Sequence, residues 1–300
     1  MDSPRAWTPQ ELEDAARQSL SMFVEERLQQ GSAPYKEIFP QARRQVETLF
    51  KATDNVRCLE PQVLQDNPEL VEAARYLGAP PLSQDDLNTL AGGSVVGRKS
   101  IPDDVAAKAV TAIEAFLDPF RCPWLDSGSA PARSVRRAAI DWTASLWAIE
   151  MCRTARRGEA STEQEDAVDR ILRSCGLKHD GAIRRITSLD ELPRGHFTRE
   201  VLLAQAKADL AVRLKRGRLL AIECKVSNSA VNSVKRLNRE TSGKAEHWRT
   251  VYGQQVVTVA VLSGVFKVSS LVDAQASGVY IIWAHDLEPL RRFVAASCVS

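Results

Sequence analysis

The stretch 209–226 constrains this chain more than any other, because its pattern admits one local fold. In residues 209–214, Asp-Leu-Ala-Val-Arg-Leu, the side chains of Leu210, Val212 and Leu214 alternate onto one side, the period-two signature of a half-buried strand. Residues 219–226, Leu-Leu-Ala-Ile-Glu-Cys-Lys-Val, form a second strand-like run after a basic turn. If the turn closes through Lys215, Arg216 and Gly217, with the glycine left-handed, Leu214 pairs with Arg218. Counting back along both strands then sets Asp209 opposite Glu223. Glu223 and Lys225 lie two apart and point to the same face, while Leu220, Ile222, Cys224 and Val226 face the core on the other. Two carboxylates and an amine are expected on one patch of sheet.

That set suits phosphodiester hydrolysis. Facing carboxylates bind a hard cation through oxygen and leave room for water and a phosphate oxygen. The cation neutralises developing charge and activates water. The lysine orients or helps deprotonate that water and stabilises the pentavalent phosphate. With no cation, the two carboxylates repel and one tends to stay protonated. Asp209, Glu223 and Lys225 are the expected catalytic residues, and Asp209, Glu223 and Cys224 the expected metal-binding ones. Glu223-Cys224-Lys225 is the one acid-x-Lys of the chain. The competing reading is an exposed hairpin whose charges only solvate a face.

The residues that follow extend the pattern. Ser227-Asn228-Ser229 cap the next helix and offer N–H groups suited to phosphate. On that helix Ser229, Asn232, Arg236 and Arg239 recur at three- and four-residue spacing, with Val231, Val234 and Leu237 (or Thr241) on another face. Ser227, Asn228, Ser229, Asn232, Lys235, Arg236 and Arg239 form the expected DNA-facing stripe, Asn and Arg being suited to base edges in the major groove. The formal net charge is only +2, but residues 201–255 hold eleven Lys or Arg against four Asp or Glu. Such a local positive field is what phosphate binding needs. A solvated helix face is the bland alternative.

The N-terminal part is helical in pattern. Thr8-Pro9-Gln10-Glu11 is a capping box with proline at the first helical position, and the periodic run continues to Gly31. Further helices are expected over 35–52, 69–77 and 103–117. After a connector at 122–131, one helix is expected over 133–157, ended by Gly158. A second is expected over 162–175, capped by Ser161 and closed by Gly176. Beyond it come helices over 229–252, 271–276 and 287–296 and strands over 256–262 and 279–284. This order describes an α/β core, with a helical region over 1–130 and the core over 131–300.

Several classes are excluded. The six cysteines (Cys58, Cys122, Cys152, Cys175, Cys224, Cys298) are scattered, which disfavours zinc and disulfides. His179, His196, His247 and His285 are isolated and structural in this reading. No glycine-rich phosphate loop suggests ATP. No apolar run approaches the ~20 residues of a membrane span, and the polar, acidic start is no signal peptide, so a cytoplasmic location is expected.

The Asp209 and Glu223-Cys224-Lys225 pattern resembles the PD-(D/E)xK nuclease superfamily, with Ala208 where the motif name has proline. The resemblance implies an opening helix bearing another glutamate. Residues 165–176 look like that helix, which makes Glu165 a candidate supporting ligand for metal or water, with Glu150 its rival. More narrowly, 221–238, 261–266 and 280–287 resemble XamI-type type II restriction endonucleases. That resemblance implies a mixed central sheet flanked by helices, Mg²⁺ as cofactor, and double-stranded DNA cut at a short palindrome of the GTCGAC type. Ends with 5′-phosphate and 3′-hydroxyl, and a cognate DNA methyltransferase in the same system, follow from it. A palindrome is most simply read by a two-fold symmetric homodimer. Other expectations compatible with the residues are a repair or structure-specific nuclease, and a silent DNA-binding module, against which the intact trio argues.

Overall fold

The 209–226 hairpin closes through a three-residue turn. Gly217 takes φ +96°, its N–H donates to the Leu214 carbonyl at 2.8 Å, and the Leu214 N–H donates to the Arg218 carbonyl at 2.9 Å. The ladder pairs Arg213 with Leu219, Val212 with Leu220, Ala211 with Ala221 and Leu210 with Ile222, the expected register. The structure is a computed structural model that describes residues 3–297; the side chains of Arg236, Asn238 and Arg239, and Cys298, lie outside the described set.

The hairpin is the middle of a seven-stranded mixed sheet. Its strands are β1 (Lys178–His179), β2 (Arg185–Ile186), β3 (His196–Leu203), β4 (Ala206–Arg213), β5 (Leu219–Ser227), β6 (Val256–Gly264) and β7 (Val279–Trp283). The order is β1-β3-β4-β5-β6-β7, with β2 also paired to β3. β3, β4 and β5 are antiparallel neighbours, whereas β5, β6 and β7 run parallel. A parallel pair needs a crossover, and the helical stretch between β5 and β6 supplies it. β3 was not expected. Its alternation breaks at Glu200, which has φ +50°, so Phe197 packs into one core cluster and Val201 and Leu203 into another.

Helices cover both faces of the sheet. On one, Val168 and Leu172 of the long helix and Leu290, Phe293 and Val294 of the helix Glu288–Ala296 pack on Leu210, Val212, Leu220, Ile222 and Val259. On the other, Trp248 and Tyr252 of the helix Ser242–Tyr252 pack on Leu219 and Ala221, and Leu271 and Ala274 of the helix Val268–Ala276 pack near Ala260. The N-terminal helix Pro9–Gln30 starts at its capping box: the Thr8 N–H donates to Glu11 Oε2 at 2.8 Å and the Glu11 N–H to Thr8 Oγ1 at 3.3 Å. It completes the second face through Leu12 and Ala16, and the Trp7 indole donates to the Ile281 carbonyl at 2.8 Å.

Two expectations about helices are corrected. The segments 133–157 and 162–175 form one helix, Arg133–Ser174. Gly158 does not end it: a mid-helix glycine costs only about 1 kcal/mol against alanine, too little to break a 42-residue helix. The Ser161 hydroxyl bonds Glu165 Oε1 at 3.3 Å instead of capping a new start. Likewise the 229–252 stretch is α over Ala230–Val234, π over Lys235–Thr241, and α again over Ser242–Tyr252. A π turn holds more than four residues, so three- and four-residue spacing no longer defines one face there, and Val231 is 81% exposed.

Backbone contacts divide the chain into two compact units, Met1–Gln29 with Arg156–Ser300, and Gln30–Ala155. The second is helical, with Ala33–Ala52, Asp103–Ala115 and four shorter helices beside the first part of the long helix. It has its own core of Leu49, Phe50, Leu77, Ile113, Ile140 and Trp147. No helix among the described residues is long and apolar enough to cross a membrane.

Two glycines give opposite predictions. Gly264 ends β6 at φ +94°, where a Cβ would sit 2.2 Å from the Ser227 carbonyl oxygen; Gly158 has nothing within 4 Å. Gly264→Ala is expected to lose about 2 kcal/mol or more of unfolding free energy. Gly158→Ala is expected to gain about 0.5–1 kcal/mol, both read from urea unfolding followed by circular dichroism.

Candidate active site

Glu223 is the centre of the site. It lies on β5 between Ile222 and Cys224, whose side chains enter the first core, so its own points to the face covered by the helix Ser242–Tyr252. Its side chain is fully buried. A buried carboxylate needs compensating charge, and two ammonium groups supply it. Lys225 Nζ and Lys244 Nζ each lie 2.8 Å from the same oxygen, Oε2. The other oxygen, Oε1, is buried without a hydrogen-bond partner among the described residues.

Asp209 joins this group where β4 and β5 part. The ladder ends at Leu210 opposite Ile222, and the next inward-bonding N–H, that of Cys224, donates to Asp209 Oδ2 at 2.7 Å. Lys225 Nζ donates to the same oxygen at 3.1 Å. Lys225 thereby bridges both carboxylates. Burial opposes its charge, but Glu223 and Asp209 outweigh that cost and hold its pKa above the ordinary lysine value. Burial pushes the Glu223 carboxyl upward, with Lys225 and Lys244 pulling against it and Asp209 adding to the push. The Cys224 thiol is pushed well up, first by burial and then by the charges of Asp209 and Glu165.

A cavity opens beside the trio. It is lined by Asp209, Cys224, Lys225, Val226 and Asn228 on the strand side, by Arg156, Arg157 and Ser161 of the long helix, and by Glu240. The other expected residues fall around it unevenly. Glu165 is engaged at both oxygens, by Ser161 and by Arg199, whose guanidinium lies 3.2 Å from Glu165 and 2.6 Å from Asp166. Its rival Glu150 falls in the other unit. Ser227 is fully buried, its hydroxyl donated to the Ser229 carbonyl at 2.9 Å. Ser229 caps the next helix by accepting the Asn232 N–H at 3.3 Å. Asn228, Asn232 and Lys235 are exposed. Among the described residues no three His, Cys, Asp or Glu side chains cluster as a metal cage.

Lys244, Arg156, Arg157 and Arg199 were not anticipated. Lys244 and Arg199 are far from Glu223 and Glu165 in sequence, and no spacing rule connects them. Arg156 and Arg157 precede Gly158, and only helical continuity through that glycine carries them on the same element as Ser161.

The geometry so far defines an α/β protein with two carboxylates and a lysine converging beside a cationic cavity, the outline of a phosphodiesterase. Comparison with known proteins narrows this. The profile of the XamI restriction endonuclease family matches residues 54–283. The chain is similar to the type II restriction enzyme XamI of Xanthomonas campestris pv. amaranthicola, at 36% identity over 260 residues, which cover 84% of this chain and 93% of that enzyme. It is also similar, at 21% identity over 319 aligned positions, to the type II restriction enzyme SalI of Streptomyces albus G, across 96% of this chain and 97% of that enzyme. The chain belongs to the XamI restriction endonuclease family, and is a site-specific deoxyribonuclease.

The thiols make the burial of the site measurable. Burial pushes the Cys122 thiol up to about 12 and the Cys224 thiol well above its usual range, whereas Cys58 is exposed. Iodoacetamide at about pH 8.5 is expected to alkylate Cys58 in the native protein and to spare Cys122 and Cys224 until denaturant is added, as read by peptide mass spectrometry.

Proposed function

We propose that this protein is a Mg²⁺-dependent type II restriction endonuclease with a PD-(D/E)xK core, cutting double-stranded DNA at a short palindrome of the GTCGAC type. The observation that carries the chemistry is the pairing of two carboxylates, Asp209 Oδ2 and Glu223 Oε2, through Lys225, with Oε1 of Glu223 buried and without a hydrogen-bond partner among the described residues. Hard oxygen donors with a second acid close by suit a divalent cation, so the residues present fit one. Asp209 and Glu223 would hold it; Cys224, whose thiol is protonated and packed in the core, contributes through its main chain. Bound there, the cation supplies positive charge to the phosphate oxygens and favours ionisation of water.

The chain's own groups do the rest. Lys225, which contacts both Asp209 and Glu223, is placed to orient the attacking water or to donate to a phosphate oxygen. Water attacks phosphorus and gives up a proton to solvent, the bond to the 3′ oxygen breaks and that oxygen takes a proton from solvent, so the products are a 5′-phosphate and a 3′-hydroxyl. Arg156 and Arg157 line the cavity and favour an approaching phosphate. Glu165, gripped by Arg199, supports the site electrostatically instead of ligating directly.

In this reading the nuclease core is the unit Met1–Gln29 with Arg156–Ser300, and the helical unit Gln30–Ala155 serves DNA or subunit contacts. Asn228, Ser229, Asn232, Lys235, Arg236 and Arg239 lie along the DNA, and Ser227 supports the turn that presents Asn228. A homodimer reads the two half-sites of the palindrome. The enzyme works in the cytoplasm beside a cognate DNA methyltransferase that protects the same sequence.

Incubating the protein and Mg²⁺ with plasmids that carry or lack GTCGAC tests this. Discrete bands are expected only from plasmids with the site. Asp209→Ala, Glu223→Ala and Lys225→Ala are each expected to cut at least ~100-fold more slowly, with chelation of Mg²⁺ abolishing cleavage. Uncut DNA from the wild type, or full activity in all three variants, would sink the proposal.

A further inference from the structure

Glu223 is held from two directions, and only one of them belongs to the acid-x-Lys pattern. Lys225 is its neighbour on β5. Lys244 comes from the first turn of the helix Ser242–Tyr252, 21 residues on, and places Nζ 2.8 Å from Oε2. Its helix is fixed against the sheet by Ala245 and Trp248, both buried, and the Trp248 indole donates to the Leu203 carbonyl at 2.9 Å. The π segment Lys235–Thr241, closed by the Ser242 N–H on the Leu237 carbonyl, re-phases this helix just ahead of Lys244. Such insertions gather at functional sites because they re-aim the side chains that follow.

The two ammonium groups are not equivalent in what they leave open. Both engage Oε2, so the carboxylate cannot rotate without breaking the Lys244 hydrogen bond and the Lys225 ion pair, and Oε1 has no hydrogen-bond partner among the described residues. Lys225 lies on the same strand as Glu223 and divides its contacts between Glu223 and Asp209; the anchor on the second side comes from another element and is given to Glu223.

We propose that Lys244 is a positioning residue for the cleavage reaction, locking the Glu223 carboxylate so that Oε1 is presented to the divalent cation. This rests on the reading of Glu223 as a cation ligand. Groups that orient a ligand without touching the metal are typically worth ten- to a hundredfold in affinity, roughly the scale expected here. The sign of the effect separates positioning from plain electrostatics. An ammonium beside the site repels an incoming cation, so if charge were its whole role, its removal would tighten cation binding. Locking predicts the opposite.

The test uses the full-length protein without DNA and Mn²⁺ as probe, with free Mn²⁺ followed by electron paramagnetic resonance and folding checked by thermal unfolding. Glu223→Gln is expected to abolish binding at the site. Lys244→Met is expected to weaken it at least about tenfold, and Lys244→Arg, which keeps a charged donor, to recover most of the loss. In cleavage assays Lys244→Met is expected to lower kcat about tenfold or more with the KM for DNA within about twofold. If Lys244→Met does not fold, Lys244→Gln takes its place with the same expected direction. Loss in Glu223→Gln with unchanged or tighter binding in the Lys244 variant overturns the positioning role alone. Undiminished Mn²⁺ binding in Glu223→Gln overturns the ligand reading itself, and Lys244's role with it.

Discussion

Everything in the sheet unit is arranged around one costly act, the burial of the Glu223 carboxylate. An ionised carboxylate taken wholly out of water is tolerated only where opposite charge and hydrogen bonds meet it. Here Lys225 and Lys244 meet one oxygen, and the other has no hydrogen-bond partner among the described residues. Removing either lysine leaves an under-compensated charge in the interior, which is why three separate elements, β4, β5 and the helix Ser242–Tyr252, have to be placed correctly before the site exists.

Placement of those elements follows from ordinary packing. The parallel ladder of β5 on β6 sets Glu223 beside Ala260, a small neighbour, and the helix between the two strands returns over the same face. The opposite face is closed by the long helix and the helix Glu288–Ala296. The N-terminal helix, remote in sequence, closes the second face: the Ser19 hydroxyl donates to the Gly264 carbonyl at 2.8 Å and accepts the Gly264 N–H at 3.0 Å. Gly264 also lies hard against Ser227, so the end of β5 that carries the site is clamped by backbone packing as well as by charge.

Legibility in the sequence tracks the range of the interaction. The hairpin register could be counted because a left-handed glycine in a three-residue turn dictates the pairing, and every later pair follows from it. The capping box was legible for the same reason, being a contact over three residues. Gly158 misled because helix propensity is a weak local preference, overridden by the packing of Val168 and Leu172 on the sheet. β3 escaped notice because Glu200 reverses its alternation, and the π segment because an extra residue in a turn leaves no compositional mark.

Asp209, Glu223 and Lys225 were determined by sequence alone, since a strand's period of two and one turn suffice to bring them together. The family's resemblance was carried by residues 221–238, which continue that stretch, together with 261–266 and 280–287. What only the tertiary structure decided is the environment around the trio: Lys244 on the second side of Glu223, Arg199 on Glu165, and Arg156 and Arg157 lining the cavity. Lys244 and Arg199 are separated by 21 and 34 residues from the carboxylates they hold and reach them through packed elements. Long-range contacts of that kind have no period to count, because their distance is set by how a sheet and its helices fill space and not by the chain's own repeat.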